Sequence, residues 1–278
     1  MVVQIGLPQS ARATEQQGDE HLHQIAPDVA YRRLTLVNVV FVGDPAAASN
    51  DWLLIDTGIP GSAPAIIAAA EARFGPGSRP AAIVMTHAHF DHVGALKDLL
   101  EKWDCPVYGH PLEAPYLTGQ KSYPPPDTAA DGGIMPKLAP LFPRDPVDVS
   151  GSLQLLGGDG TIPGLPNWRW LHTPGHTEGH ISLWREHDRL LISGDAVITT
   201  GQESAYEIAV QKPEMHGPPR YFTPDWAAAE TSAKALAALE PRLIVSGHGR
   251  AMEGPEMLAA LHRLADNFHD IAVPRSRQ

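Results

Sequence analysis

Five apolar residues, Ala81-Ala-Ile-Val-Met85, run directly into Thr86-His87-Ala88-His89-Phe90-Asp91-His92. An apolar run this short, stopped by a polar cluster, reads as a buried strand. In extended backbone alternate side chains point the same way, so His87 and His89 face one point. A turn into the next helix brings Asp91 and His92 round to that region. Four candidate ligands within six residues suit a borderline metal such as Zn²⁺, which takes imidazole and carboxylate donors. The pattern of a strand end followed by a ligand recurs at His176 in His172-Thr-Pro-Gly-His-Thr177, at Asp195 in Ser193-Gly-Asp-Ala196 and at His248 in Ser246-Gly-His-Gly249. Alone, Asp195 would be a turn residue and His248 a hydrogen-bonded core histidine. Together they form a metal-ligand set.

The rest of the chain is consistent with a layered α/β fold. Strands are expected at Leu34–Val42, Trp52–Asp56, Pro106–Tyr108, Trp168–Leu171, Ile181–Trp184, Arg189–Ile192 and Leu243–Val245. Helices are expected at Pro64–Phe74, Val93–Trp103, Asp225–Leu239 and Gly254–Phe268, with helices outside packed sheets. Residues 1–30 are expected to be an irregular N-terminal segment and 31–278 a single domain. Two Pro-rich insertions, at about 111–150 and 199–222, interrupt it. Their aromatic and apolar residues argue for packed flaps rather than linkers.

Composition excludes several classes. With 43% hydrophobic and 19% charged residues the chain has material for a core. Its net charge of −11 and lack of a basic stripe argue against nucleic acid as a partner. No apolar stretch is long enough to span a membrane, and no signal peptide is recognisable. The single cysteine, Cys105, allows no internal disulfide and fits a reducing compartment, so a cytoplasmic location is expected. The expected partner is a small-molecule substrate, with no nucleic acid and no membrane; a homodimer is allowed.

His87-x-His89-x-Asp91-His92, then His176, Asp195 and His248 in that order, closely resembles the metallo-β-lactamase superfamily over about Leu34 to Arg250. The resemblance implies an α/β fold of the αββα sandwich type, two mixed sheets flanked by helices, with two divalent metal ions at the sheet edges. Zn²⁺ is the first expectation for both, with Fe or Mn as alternatives. Carried over, the first metal takes His87, His89 and His176, the second takes Asp91, His92 and His248, and Asp195 bridges them. Asp91 also serves as the catalytic carboxylate. The implied activity is that of a metal-dependent hydrolase whose metal-bridged hydroxide attacks a small ester, thioester or lactone carbonyl. Asp195 resembles the bridging aspartate of glyoxalase II-like thioesterases and of lactonases. The lactonases' tyrosine shortly after that aspartate is missing, since Ala196, Val197 and Ile198 follow Asp195; Tyr206 or Tyr221 would have to replace it. The alternatives are a mononuclear iron dioxygenase of the persulfide type and a phosphodiesterase of the same fold.

Four residues of the Pro-rich segments, Tyr123, Tyr206, His216 and Tyr221, are candidates for the substrate pocket, expected at the mouth of the metal cleft. For His216 a second reading, hydrogen bonding within a polar loop, stays open. His172 and His180 flank the His176 loop and are expected to support it.

Overall fold

The computed structural model describes residues 3–14, 16–17, 22–131 and 133–278. It divides into two compact units, one formed by Thr14–Tyr123 and Pro143–Arg169, the other by Met1–Ala13, Pro124–Phe142 and Trp170–Gln278. The segment 111–150 is therefore shared between them. Among the described residues no helix is long and apolar enough to cross a membrane.

The first unit is built on an eight-stranded mixed sheet. Gln16–Gln17, Leu22–Ala26, Val29–Arg33, Asn38–Val42 and Leu53–Ile55 pair antiparallel in sequence order. Ala82–Val84, Val107–Gly109 and Leu153–Leu155 then add in parallel, with Leu54 opposite Ile83 and Ile83 opposite Val107. Parallel neighbours need crossovers. Helix Ala63–Phe74 makes the first and helix Leu96–Trp103 the second. Ile66, Ala70, Leu96 and Leu99 from these helices meet Phe41, Leu54, Ile83 and Val107 from the sheet in one core. Trp52 stacks on Phe74 at 4.4 Å between centroids, meets Trp103 edge-on, and donates its indole N–H to Ser78.

Three expectations are corrected here. The run 34–42 is not one strand: Val29–Arg33 and Asn38–Val42 form a hairpin, closed by the Leu34 N–H donating to the Val37 carbonyl. The β-branched and apolar residues on both sides hide the turn, since Thr35 and Asn38 fit a strand as well as a turn. Leu22–Ala26, within the segment expected to be irregular, is a strand whose weak alternation is made good by a full antiparallel partner. The expected helix 93–103 is two, Phe90–Val93 and Leu96–Trp103. Gly94 lies between them, and a Cβ there would come within 2.3 Å of the Pro60 nitrogen. The chain thus turns on a close backbone contact that only glycine permits.

The second unit holds a five-stranded sheet in the order Arg169–His172, Ile181–Arg185, Leu190–Gly194, Leu243–Ser246, Met252–Glu253. The second and third strands form an antiparallel hairpin, and the third pairs in parallel with the fourth. Helix Trp226–Ala238 makes that crossover, capped by the Asp225 carboxylate accepting the Ala228 N–H. Helix Gly254–Asp266 packs with it, and Leu236, Met257, Leu261 and Leu264 join Leu191 and Ile244 in the core. The second and fourth strands of this unit are buried along their whole length, as expected of strands covered by helices.

The Pro-rich stretches form short turns of helix, at Pro111–Glu113, Ala114–Leu117, Met135–Leu138, Ala139–Leu141, Ala205–Val210 and Arg220–Phe222, and one short strand, Glu214–Met215, that pairs antiparallel with Ile5–Gly6. Within the second unit, 124–142 and 199–222 associate: Ala130, Ala139 and Tyr221 form a small core with Met135, Phe142 and Phe222. The Met135 and Asp127 N–H groups donate to the Glu203 and Tyr221 carbonyls.

Candidate metal centre

In the first unit the ligand run leaves the end of Ala82–Val84 and enters the helical turn Phe90–Val93. His87, His89 and His92 are buried, and Asp91 is half-buried in the first turn. The His87 ring lies 4.8 Å from that of His89, at 88°, and 4.1 Å from that of His92. Asp56, at the end of the neighbouring strand, organises them. Its carboxylate accepts the Thr86 N–H at 2.8 Å and the Thr86 hydroxyl at 2.7 Å, and stands 2.7 Å from Nδ1 of His92. Thr57 adds its N–H and hydroxyl to the His92 carbonyl.

This network sets tautomers. A carboxylate only accepts, so His92 carries its proton on Nδ1. The Thr86 hydroxyl hydrogen is committed to Asp56, so its oxygen accepts from Nδ1 of His87, 3.1 Å away. In both rings Nε2 is then the lone-pair nitrogen that a metal requires.

The second unit carries His176, Asp195 and His248. His176 follows Gly175 (φ 131°), at which a Cβ would lie 2.4 Å from the Ala229 nitrogen. Helix Trp226–Ala238 therefore backs directly onto the His176 loop. The Thr223 hydroxyl donates to the Pro219 carbonyl and so accepts from Nδ1 of His176 at 3.2 Å. Its Nε2 stands 3.5 Å from Oδ2 of Asp195, and Nε2 of His248 stands 3.1 Å from the same oxygen. Asp195 comes just after a register shift between Ile192 and Gly194, the kind of bulge that re-aims a side chain at a site. Its backbone N–H donates to Nε2 of His180 at 2.9 Å. His180 is thus neutral, with its proton on Nδ1 facing Thr173. His172 is exposed, with its Nε2 2.9 Å from the Glu178 carbonyl.

His87, His89, Asp91 and His92 in the first unit, and His176, Asp195 and His248 in the second, are each among the His and Asp side chains able to hold a metal ion. Buried imidazoles with a defined lone-pair nitrogen, beside carboxylates, fit a borderline divalent ion. The sequence reading missed Asp56. Its signal was the acidic residue before Thr57-Gly58 at a strand end, the cue that found Asp195.

The four pocket candidates have distinct surroundings. Tyr123 is half-buried, hydrogen-bonds to Glu113 and lies against the His89 ring. Burial and the Glu113 charge hold its phenol well above the usual range, so it acts as a donor. Tyr206 is 71% exposed, on the short helix Ala205–Val210. His216 is buried between Glu203 and the Gly217 carbonyl, and Tyr221 is buried with its hydroxyl donating to the Gln202 carbonyl. The segment carrying these last three residues is tied to the ligands at both ends. Thr199 donates its N–H and hydroxyl to the His248 carbonyl, and Thr223 holds His176.

Comparison with known proteins agrees with this geometry. The family model described as the metallo-β-lactamase superfamily matches residues 32–248. The chain is 47% identical to the probable metallo-hydrolase YflN of Bacillus subtilis (strain 168), covering 85% of this chain and 89% of that one. It is 28% identical to a hydroxyacylglutathione hydrolase of Acidiphilium cryptum (strain JF-5), covering 79% and 70%. Among solved structures, TTHA1623 in a di-iron-bound form superposes with a TM-score of 0.51 at 29% identity, covering 82% and 92%. The match across most of the chain, together with the ordered histidine and aspartate ligands, makes this protein a member of the metallo-β-lactamase superfamily, an α/β-sandwich metallo-hydrolase.

Proposed function

We propose that the protein is a dinuclear metal-dependent hydrolase of a small ester, thioester or lactone. The observation that carries this reading is Asp195, one carboxylate oxygen of which faces both His176 and His248. The superfamily resemblance assigns those two histidines to different metals, so the carboxylate has the place of a bridge. When bound, two divalent ions supply hydroxide at neutral pH and polarise the substrate carbonyl. The chain's own residues do the rest. Asp56, Thr86 and Thr223 hold the imidazoles in one tautomer, and the His180 ring holds the Asp195 backbone. Asp91, half-buried at the start of its helical turn, orients the nucleophile and takes its proton. Segment 199–222, anchored at His248 and His176, selects the substrate together with 124–142.

Two comparisons inform the finer choice. A relative named for hydroxyacylglutathione hydrolysis supports a thioester. A di-iron structural neighbour supports iron beside zinc as an occupant. The test combines elemental analysis with a panel of lactones, thioesters, phosphodiesters and cephalosporins. About two divalent ions per chain, with thioester or lactone turnover highest, is the expected result. A single iron with oxygen uptake on a persulfide would overturn it in favour of the dioxygenase. A phosphodiester as the best substrate would overturn the carbonyl assignment.

A further inference from the structure

Ala88 sits between His87 and His89, and its backbone N–H is held by residues well outside that loop. The Glu113 carboxylate, fully buried, accepts this N–H at 3.0 Å. The Tyr123 hydroxyl lies 3.0 Å from the same nitrogen and donates to the same Glu113 oxygen in a short hydrogen bond. The Tyr123 ring is tilted against the His89 imidazole, with 4.3 Å between centroids, and stacks on buried Tyr116 at 3.9 Å and 9°. Burying a carboxylate is costly unless it is well hydrogen-bonded. Glu113 belongs to none of the ion-holding groups found among the described residues. Its use lies in what it holds.

We infer that Glu113 and Tyr123 are positioning residues for the metal ligands His87 and His89, Glu113 by fixing the peptide between them and Tyr123 by anchoring Glu113 through its hydroxyl while its ring rests on His89. The inference rests on the reading of His87 and His89 as ligands. A hydrogen bond to the Ala88 N–H fixes the plane of the peptide that joins it to His87. That sets the directions in which both flanking side chains leave the backbone. The two rings stand nearly perpendicular, at 88°, and tilting that peptide would turn both away from a common ion. The aromatic wall of Tyr123 and Tyr116 then limits rotation of the His89 ring about its own bonds. Tyr123 therefore acts through His89. Sites of this kind lose metal affinity when the groups behind the ligands are altered, typically 10–100-fold.

The test uses the full chain, loaded with Zn²⁺ for affinity by chelator competition and with Co²⁺ for its visible ligand-field bands. The variants are Glu113→Gln, Tyr123→Phe and His89→Ala. Glu113→Gln and Tyr123→Phe are expected to weaken Zn²⁺ binding about 10–100-fold and to shift the cobalt bands. The metal-free form of Tyr123→Phe should stay folded but melt below the wild type, because Glu113 keeps the Ala88 N–H and loses one donor. His89→Ala is expected to alter both readouts more severely. Wild-type affinity and bands in Glu113→Gln and Tyr123→Phe, with His89→Ala altered, would overturn the positioning role and leave the ligand reading intact. Wild-type behaviour in His89→Ala would overturn the ligand reading and this inference with it. If Glu113→Gln does not fold, Tyr123→Phe, which removes a single oxygen, decides.

Discussion

Oδ2 of Asp56 lies 2.7 Å from Nδ1 of His92, and the same carboxylate holds Thr86, whose hydroxyl lies 3.1 Å from Nδ1 of His87. One buried acid therefore sets the tautomer of two histidines, one directly and one through a hydroxyl. Asp56→Asn is expected to preserve the backbone, because asparagine tolerates the left-handed conformation found here (φ 59°). It removes one acceptor and introduces a donor against donors. Zn²⁺ affinity should fall about 10–100-fold, read by chelator competition. An unchanged affinity would show that the tautomers are set elsewhere.

Asp195 is expected to hold two ions together. Elemental analysis of reconstituted wild type should give about two divalent ions per chain, and Asp195→Asn about one. Equal occupancy in the two proteins would remove its bridging role.

Asp91→Asn should reduce turnover by orders of magnitude while the melting temperature of the metal-free protein stays near that of the wild type. Asp91 is half-buried at a helix start, where its loss opens no cavity. Wild-type turnover on the best substrate would exclude it from catalysis.

Gly175→Ala should both destabilise the fold and weaken the centre. The added methyl would meet backbone of Ala229, which cannot swing aside, at a positive φ unfavourable to alanine. Strain alone should cost about 1–3 kcal/mol, visible in thermal melts, and displacement of His176 should lower metal occupancy. A variant with both quantities at wild-type values would mean that helix Trp226–Ala238 yields freely.

The buried pair Glu203 and His216 should shape stability against pH. Their oxygen and nitrogen lie 3.2 Å apart, and the Arg220 N–H also reaches Glu203. Burial pushes the Glu203 carboxyl up, but His216 and Arg220 outweigh it and hold it at about 2. Burial pushes His216 down, but Glu203, helped by Glu214 and opposed by Arg220, raises it above its ordinary value. The depressed carboxyl stabilises fully above its unfolded value of 4.5 and loses that contribution as pH falls toward about 2. The raised histidine stabilises fully below its unfolded value of 6.5 and loses that contribution as pH rises through its folded value. Wild type should therefore exceed the Glu203→Gln/His216→Gln double variant most between 4.5 and 6.5. A melting-temperature difference that stays flat from about pH 3 to about pH 9 would refute this.

The sequence by itself pointed to the candidate ligands and to strands and helices alternating along the chain. His87, His89, Asp91 and His92 lie within one turn of chain, and periods of two and of 3.6 residues are local properties. Tertiary structure decided what stands behind those ligands. Asp56 reaches Thr86 across 30 residues and His92 across 36, and Glu113 reaches Ala88 across 25. Such partners are chosen by which strands lie side by side, as Leu53–Ile55 lies beside Ala82–Val84. The same holds for the turn at Leu34–Val37 and the break at Gly94, where pairing partners and a close backbone contact override the local apolar pattern. Metal chemistry demands particular residue types close together in sequence or at strand ends, and leaves a trace in the sequence. Hydrogen-bond partners brought together by folding leave none, because any acid or hydroxyl in the right place would serve.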